Sequence, residues 1–329
     1  TQVARPPGDQ RRLRLHRGPL RYAPRPVTAS RAPVVRDAAR DHRQALALFA
    51  LCAVLWSTAG VLIKLVDWNV GAIWSIRSAI AAAVLWAWRR PSFARISAAE
   101  WRAAVSLAAT TGLFILANKL TTAANAILIQ YSAPIWVALL GAWLLGERAS
   151  RLDWLTIVTV IGGIVLFFFE QLSFDHVAGN LVALAAGVAF AVSVVSFRQV
   201  ALTPGAIGRS DPLRPMLLGN VIGAVLGAPF LFTAPPPGVT GWGALAALGL
   251  FQQAAAYLCY AWAIRHATAI EATLVAVIEP VLSPVWVAIA FGERPGSWAV
   301  VGGAVVVGAI TARGLLLGGR DRTATSRAA

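Results

Sequence analysis

Ten long apolar segments follow one another through this chain and leave little room for other structure. A helix needs roughly 20 apolar residues to cross a bilayer, and its backbone polar groups must be bonded within the segment. Unbroken apolar runs of this kind therefore predict transmembrane helices, because the strands of a membrane barrel alternate in polarity. The predicted segments are 45–63, 71–88, 102–118, 123–145, 153–169, 180–197, 215–232, 242–263, 268–290 and 297–317.

The charged residues lie mostly outside these segments. Only 13% of the residues are charged, whereas soluble domains are near a quarter, and the net charge is +15. Residues 1–44 hold eleven Arg, three Asp and six Pro. This composition predicts a disordered basic tail held near anionic lipid rather than a nucleic-acid-binding arm. Residues 318–329 are predicted to form a C-terminal tail.

The distribution of Lys and Arg between loops predicts the orientation. Cytoplasmic loops are enriched in these residues. If the N-terminal tail is cytoplasmic, the inner loops hold ten Lys and Arg and the outer loops hold three. An even number of helices then returns the C-terminus to the same side. We expect a multi-pass protein of the bacterial inner membrane with both termini in the cytoplasm.

Two stretches of the chain match at an offset of 146 residues. Pro134 precedes Gly146-Glu147-Arg148, and Pro280 precedes Gly292-Glu293-Arg294 at the same spacing. This agreement indicates that the chain arose by duplication.

The duplication predicts two five-helix repeats, at 45–169 and 180–317. Because five is an odd number, the second copy enters the membrane upside down, which is the plan of many secondary transporters. The predicted fold class is therefore an all-α integral membrane protein with ten transmembrane helices, arranged as two inverted five-helix repeats.

The repeated stretches "ANAILIQYSAPIWVALLGAWLLGER" and "IEATLVAVIEPVLSPVWVAIAFGERP" resemble the paired signature of the drug/metabolite transporter superfamily, EamA type. The opening "LWSTAGVLIK" and Arg77 fit the same pattern, although the second repeat has no equivalent of Arg77. The resemblance covers roughly 45–317. It implies a central cavity between the halves and the transport of small metabolites, often the export of amino acids as in the YddG-type exporters, although no residue singles out their substrate.

Two charged residues fall inside the predicted spans. Glu279 lies near a span centre, where a carboxylate must be paired, hydrated or protonated. It is predicted to bind a substrate amine or to couple transport to protons; the alternative is an acid that ties its helix to a neighbour. Arg77 lies one to two turns inside the second span. It is expected to snorkel or to pair structurally, and binding of a carboxylate is the alternative.

Several polar and aromatic side chains are also predicted to line the cavity. Gln253, Tyr257 and Tyr260 share one helix face by their spacing, and Gln252 flanks them. Such side chains seek water or a partner, so this face meets either a cavity or another helix. The predicted substrate-cavity residues are Gln130, Tyr131, Gln253, Tyr257, Tyr260, Glu279, Asn118 and Trp56.

Pro134 and Pro280 fall near the middle of their spans, where proline frees a backbone carbonyl and bends a helix. They are interpreted as hinges of the transport cycle or as fixed packing kinks. Cys52 and Cys259 lie in apolar segments, and the four His lie in the tail or at segment ends. This pattern predicts no disulfide, no metal site and no cofactor.

The sequence thus predicts a secondary transporter that moves a small organic metabolite, most simply an amino acid leaving the cell, by alternating access. The alternatives are a carrier for a drug, nucleoside or sugar, and a channel. A channel would favour rings of like residues, and an enzyme would need clustered catalytic groups that the sequence lacks. The predicted partners are the small-molecule substrate and the lipid bilayer, with a homo-oligomer possible and no nucleic acid.

Overall fold

The chain folds into a bundle of helices. The computed structural model describes residues 31–93, 95–172, 176–203, 211–292 and 296–327, and no strand occurs within these ranges. The α-helices of these ranges are α1 (Arg31–Ser57), α2 (Ala59–Lys64), α3 (Val70–Arg89), α4 (Ala98–Leu120), α5 (Ala123–Gln130), α6 (Ala133–Leu144), α7 (Arg151–Phe167), α8 (Val177–Leu202), α9 (Leu213–Gly227), α10 (Val239–Ala247), α11 (Ala256–Ala263), α12 (Ala269–Ala276), α13 (Ile278–Phe291) and α14 (Ser297–Arg327).

Nine helical stretches of the described chain are long and apolar enough to cross a membrane. They correspond to nine of the ten predicted segments. The remaining segment forms α7, which has 17 residues and is about 25 Å long at 1.5 Å per residue. It is shorter than a hydrocarbon core of about 30 Å. The helical class of the fold is therefore as expected, with nine clear spans and one shorter apolar helix.

The terminal helices extend beyond the predicted spans. α1 begins at Arg31, in the region assigned to the basic tail, and α14 continues to Arg327. Ala and Arg favour helix. Ala45 and Phe49 are buried in the core, and their burial fixes the second half of α1 to the rest of the bundle. Residues 1–30, which make up most of the predicted tail, lie outside the described residues.

The two halves repeat their local structure at the predicted offset. α5 and α12 are each eight residues long, and each begins after a threonine cap, Thr122 or Thr268. Gly146 and Gly292 share a φ of 72°, a left-handed conformation that favours glycine. α7 and α14 begin at equivalent positions. Glu293 and Arg294 of the second motif lie outside the described residues.

The helix breaks lie beside the two predicted hinge prolines. Pro134 is the second residue of α6, just after the break between α5 and α6. Pro280 is the third residue of α13, just after the break at Val277. A proline in the first turn of a helix costs no hydrogen bond, because those N–H groups have no partner within the helix. Each proline thus starts a new helix within its span, and Pro284 follows one turn later inside α13.

α7 and α14 pack together closely through small residues. A β-carbon at Gly302 would overlap the backbone nitrogen of Phe167 and the carbonyl oxygen of Gly163. By contrast, a β-carbon at Gly162 would meet nothing within 4 Å. These two glycines therefore differ in importance, and Gly302 sets the separation of the two helices.

Ion pairs gather at one end of the bundle, where α3 ends and α4, α7 and α12 begin; we call it the charged end. Each of these three starts has a capping box in which a Ser or Thr exchanges hydrogen bonds with an acid three residues later. The acids also bind Arg side chains from other helices. These pairs are Glu100 with Arg214 (3.2 Å), Asp153 with Arg313 (2.6 Å) and Glu271 with Arg313 (3.6 Å).

Candidate functional site: a polar cavity between the halves

A cavity of 470 Å³ lies between the two halves of the bundle. α1 to α5 line it from the first half, and α8, α9, the segment Leu248–Ala255, α11 and α13 line it from the second. All eight predicted cavity residues lie in its wall: Trp56, Asn118, Gln130, Tyr131, Gln253, Tyr257, Tyr260 and Glu279. Pro280 also lines the cavity, whereas Pro134 is buried and does not. The two prolines are thus equivalent in the backbone but not in their surroundings.

A hydrogen bond joins the two halves across the cavity wall. The hydroxyl of Tyr131 donates to Oε2 of Glu279 at 2.7 Å. Tyr131 lies at the break between α5 and α6, and Glu279 lies just after the matching break in the second half. The broken helices therefore bring a phenol and an acid together at the centre of the molecule.

A π-helical segment, Leu248–Ala255, interrupts the eighth span. Neighbouring residues of an α-helix point about 100° apart, yet both Gln252 and Gln253 line the cavity. Wider turns of this kind occur often at functional sites. The amide nitrogen of Gln253 donates to Oδ1 of Asn220 at 3.0 Å, so Asn220 fixes the orientation of this amide.

Aromatic rings surround Tyr260 at the inner part of the cavity. Its ring centroid lies 5.2 Å from that of Phe49, 5.8 Å from that of Trp56 and 6.2 Å from that of Phe197. The ring is held by packing while its hydroxyl lacks a hydrogen-bond partner among the described residues. This part of the wall offers apolar surface together with one polar group.

Unsatisfied polar atoms concentrate in this cavity. Seven buried side-chain nitrogen and oxygen atoms lack a hydrogen-bond partner among the described residues, and five belong to residues of the cavity wall. The other two, in Glu100 and Arg214, belong to an ion pair. The five atoms are Nε of Arg77, Oε1 of Gln130, Oε1 of Gln252, Oε1 of Gln253 and the hydroxyl of Tyr260. Because buried polar groups without partners are costly, this wall is suited to water or to a polar ligand.

Arg77 lies in the cavity wall on α3. It makes no hydrogen bond or ion pair with any described residue, so the expected structural pairing is absent from the described part of the chain. The sequence favoured snorkelling or structural pairing for Arg77, and a place in the cavity wall is what the stated alternative, binding of a carboxylate, would require. The one available signal was an arginine inside an apolar segment, which does not distinguish a cavity from the membrane surface.

A second cluster of bonds joins four segments of the chain at the charged end. Glu147, from the repeated Gly-Glu-Arg, accepts from Nε of Arg198 at 2.8 Å and from the backbone N–H of Ala269 at 3.1 Å. Arg198 also donates to the backbone oxygens of Ile264 and Arg265, each at 2.9 Å. We call this cluster the Glu147 latch. It connects the loop after α6 to α8, to the end of α11 and to the start of α12.

The described part of the chain contains no candidate metal centre. Among those residues, no group of three or more His, Cys, Asp or Glu is placed to hold a metal ion.

A bundle of apolar helices with two matching halves and a polar cavity between them defines a multi-pass membrane transporter. The profile of the EamA-like transporter family matches the chain twice, over residues 43–169 and 177–312. The chain belongs to this family, as its repeated motif predicted, and the two matches agree with the duplication.

A solved structure titled "Crystal structure of protein" shares the fold. It is 22% identical in sequence, with a TM-score of 0.71, and the match covers 84% of this chain and 98% of that one. At this identity the likeness concerns the fold alone. No curated protein matches the chain.

Proposed function

We propose that this protein is a secondary transporter that exports amino acids across the bacterial inner membrane by alternating access. The observation that carries the proposal is the cavity wall, where five unsatisfied polar atoms share a small space with aromatic rings. Such a wall suits a small solute with polar groups at one end and an apolar side chain at the other. Glu279, held by Tyr131, is the proposed partner of the substrate amine.

The distribution of contacts supports alternating access. At the charged end, the Glu147 latch and the capping-box ion pairs close the bundle. In the other direction the cavity wall extends to Ile63 and Val70, at the end of α2 and the start of α3. If the charged end is cytoplasmic, as the loop charges predict, this is an outward-facing state. The matching halves then provide a second, inward-facing state of similar energy.

The test is transport by the purified protein in liposomes. Labelled amino acids are supplied as a panel, and uptake is measured with and without an imposed pH gradient, for the wild type and for Glu279→Gln. A matched control is Trp143→Phe, which alters a side chain 79% exposed on α6. We expect saturable uptake of some amino acids, loss of that uptake in Glu279→Gln, and wild-type uptake in the control.

Each outcome bears on a separate part of the proposal. Uptake that ignores the gradient supports facilitated exchange and assigns Glu279 to amine binding alone. Uptake that follows the gradient and loses this dependence in Glu279→Gln assigns proton coupling to the same carboxyl. If folded protein takes up no amino acid, the amino-acid proposal is wrong, and sugars, nucleosides and drugs become the substrates to test.

A further inference from the structure

Arg77 and Glu279 bring opposite charges to the cavity from opposite halves of the protein. Arg77 belongs to α3 and Glu279 to α13. Both side chains line the cavity, yet no ion pair within 4.0 Å joins these two described residues. Charged groups at membrane depth are costly unless they are paired or hydrated. The cavity therefore contains two opposite charges with a gap between them.

Both side chains line the cavity and hold a polar atom that bonds no described residue. The Nε–H of Arg77 has no partner among the described residues. A guanidinium presents its donors in a planar fork that matches a carboxylate. For Glu279, Tyr131 bonds Oε2, and no described residue bonds Oε1. One charge is thus shaped for a carboxylate, and the other can accept from an ammonium group.

The charges of the cavity wall also restrict the charge of the ligand that it can bind. Arg77 and Glu279 are the only charged side chains in the described wall of the cavity. A cationic ligand would leave Arg77 without a partner, and an anionic ligand would leave Glu279 without one. A zwitterion supplies a partner to each, so it gives both charges a bond without adding net charge to the membrane interior.

We propose that Arg77 binds the carboxylate of a zwitterionic substrate while Glu279 binds its amine, so that the two residues together select α-amino acids over amines and carboxylic acids. The inference rests on the proposed amino-acid transport and adds to it the residue that recognises the carboxylate. The split between the halves has a mechanical consequence. A bound zwitterion connects α3 to α13, and so connects the two repeats that must move relative to one another.

The experiment compares three ligands that share one side chain: leucine, leucinamide, which lacks the carboxylate, and 4-methylpentanoate, which lacks the amine. Affinities are measured by isothermal titration calorimetry on the full-length protein in detergent. The wild type is expected to bind leucine roughly 10- to 100-fold more tightly than leucinamide, the range of a hydrogen bond to a charged group. In Arg77→Gln, the affinity for leucine falls by the same factor and that for leucinamide is unchanged. In Glu279→Gln, the pattern is the reverse, with binding of 4-methylpentanoate unchanged.

Two further variants serve as a control and as a conservative replacement of Arg77. Arg148→Gln removes an exposed positive charge outside the cavity and should bind all three ligands as the wild type does. Arg77→Lys keeps the charge but lacks the planar fork, so it should lose part of the preference for leucine; it also replaces Arg77→Gln if that variant does not fold.

The failures of the two proposals are distinguishable. If Arg77→Gln weakens leucine and leucinamide equally, Arg77 has a structural role and the carboxylate site is wrong, while amino-acid transport stands. The same conclusion follows if the wild type binds leucine and leucinamide equally. If folded wild type binds none of the three ligands and the liposome panel shows no amino-acid uptake, both proposals are wrong.

Discussion

The Glu147 latch provides the most direct test of the proposed movement. Replacing Glu147 with Gln keeps the side-chain shape but removes the charge that Arg198 and the N–H of Ala269 bind. The side chains of Glu147 and Arg198 are 17% and 12% exposed, so solvent screens their interaction only partly. A hydrogen bond to a charged group contributes about 1.5–3 kcal/mol. A loss of about 2 kcal/mol shifts the equilibrium between closed and open charged ends roughly 30-fold toward the open state.

The assay measures access to the cavity from each side of the membrane. A single cysteine at Ser193, which lines the cavity and is 1% exposed, is introduced after Cys52 and Cys259 have been replaced by Ala. A membrane-impermeant maleimide is then applied to vesicles of either orientation. The labelling rate from the charged end follows the population of the state open to that end, so Glu147→Gln should raise it by roughly the same 30-fold.

The control for this prediction comes from the same motif. Arg148 is exposed and is not part of the latch, so Arg148→Gln should label at the wild-type rate. If Glu147→Gln leaves labelling from both sides unchanged, the latch does not govern access to the cavity. If labelling rises equally from both sides, the substitution has loosened the fold, and the proposed two-state reading of the charged end is refuted.

Two further predictions concern stability. Arg313→Gln leaves Asp153 buried without its cation, which should cost about 3–5 kcal/mol; the melting temperature in detergent should fall, and Asp153→Asn should partly restore it. Gly302→Leu forces α14 away from α7, so less folded protein should elute as a monodisperse peak from size-exclusion chromatography. Gly162→Leu enters open space and should elute like the wild type; equal losses in both variants would contradict the close-packing argument.

Much of the cavity wall could be predicted because lipid makes polar residues conspicuous. Glutamine, tyrosine and glutamate side chains within apolar spans need water or partners. This rule selected six residues, which line one cavity together with the other two predicted residues, Asn118 and Trp56. The rule does not say which of them pair. The bond between Tyr131 and Glu279 joins residues 148 positions apart, and it depends on how the two halves pack, which the pattern of each helix does not contain.

The backbone features were predictable where a residue enforces them. Prolines and repeated glycines marked the helix breaks and the left-handed turns, because those residues restrict or permit the backbone directly. The π-helical segment has no such residue, since Leu248–Ala255 contains only ordinary helix formers and one glycine. The capping boxes follow a local spacing, Ser97 with Glu100 and Ser150 with Asp153, whereas their ion pairs with distant arginines come from tertiary packing.

The duplication preserved the backbone while the side chains diverged, and the divergence gives the cavity a direction. At the offset of 146 residues, Tyr131 corresponds to Val277, and Glu279 corresponds to Ala133. Each half therefore supplies one member of the central hydrogen bond and an apolar residue at the other position. A site with true twofold symmetry would accept a substrate in two equivalent orientations. This cavity does not have that symmetry, so an asymmetric solute is expected to bind in one orientation.

The same divergence separates the two ends of the bundle. The third residue of α5 is Asn125, which donates to Oδ1 of Asn180 at 3.0 Å. Its equivalent on α12 is Glu271, which binds His42 and Arg313 at the charged end. The two equivalent positions thus form hydrogen bonds between neutral amides at one end of the bundle and ion pairs at the other. Bonds to charged groups are stronger than neutral ones, so under the proposed alternating access closure of the charged end should be favoured over closure of the opposite end. Under that proposal, neutralising those ion pairs should bring the two states closer in energy.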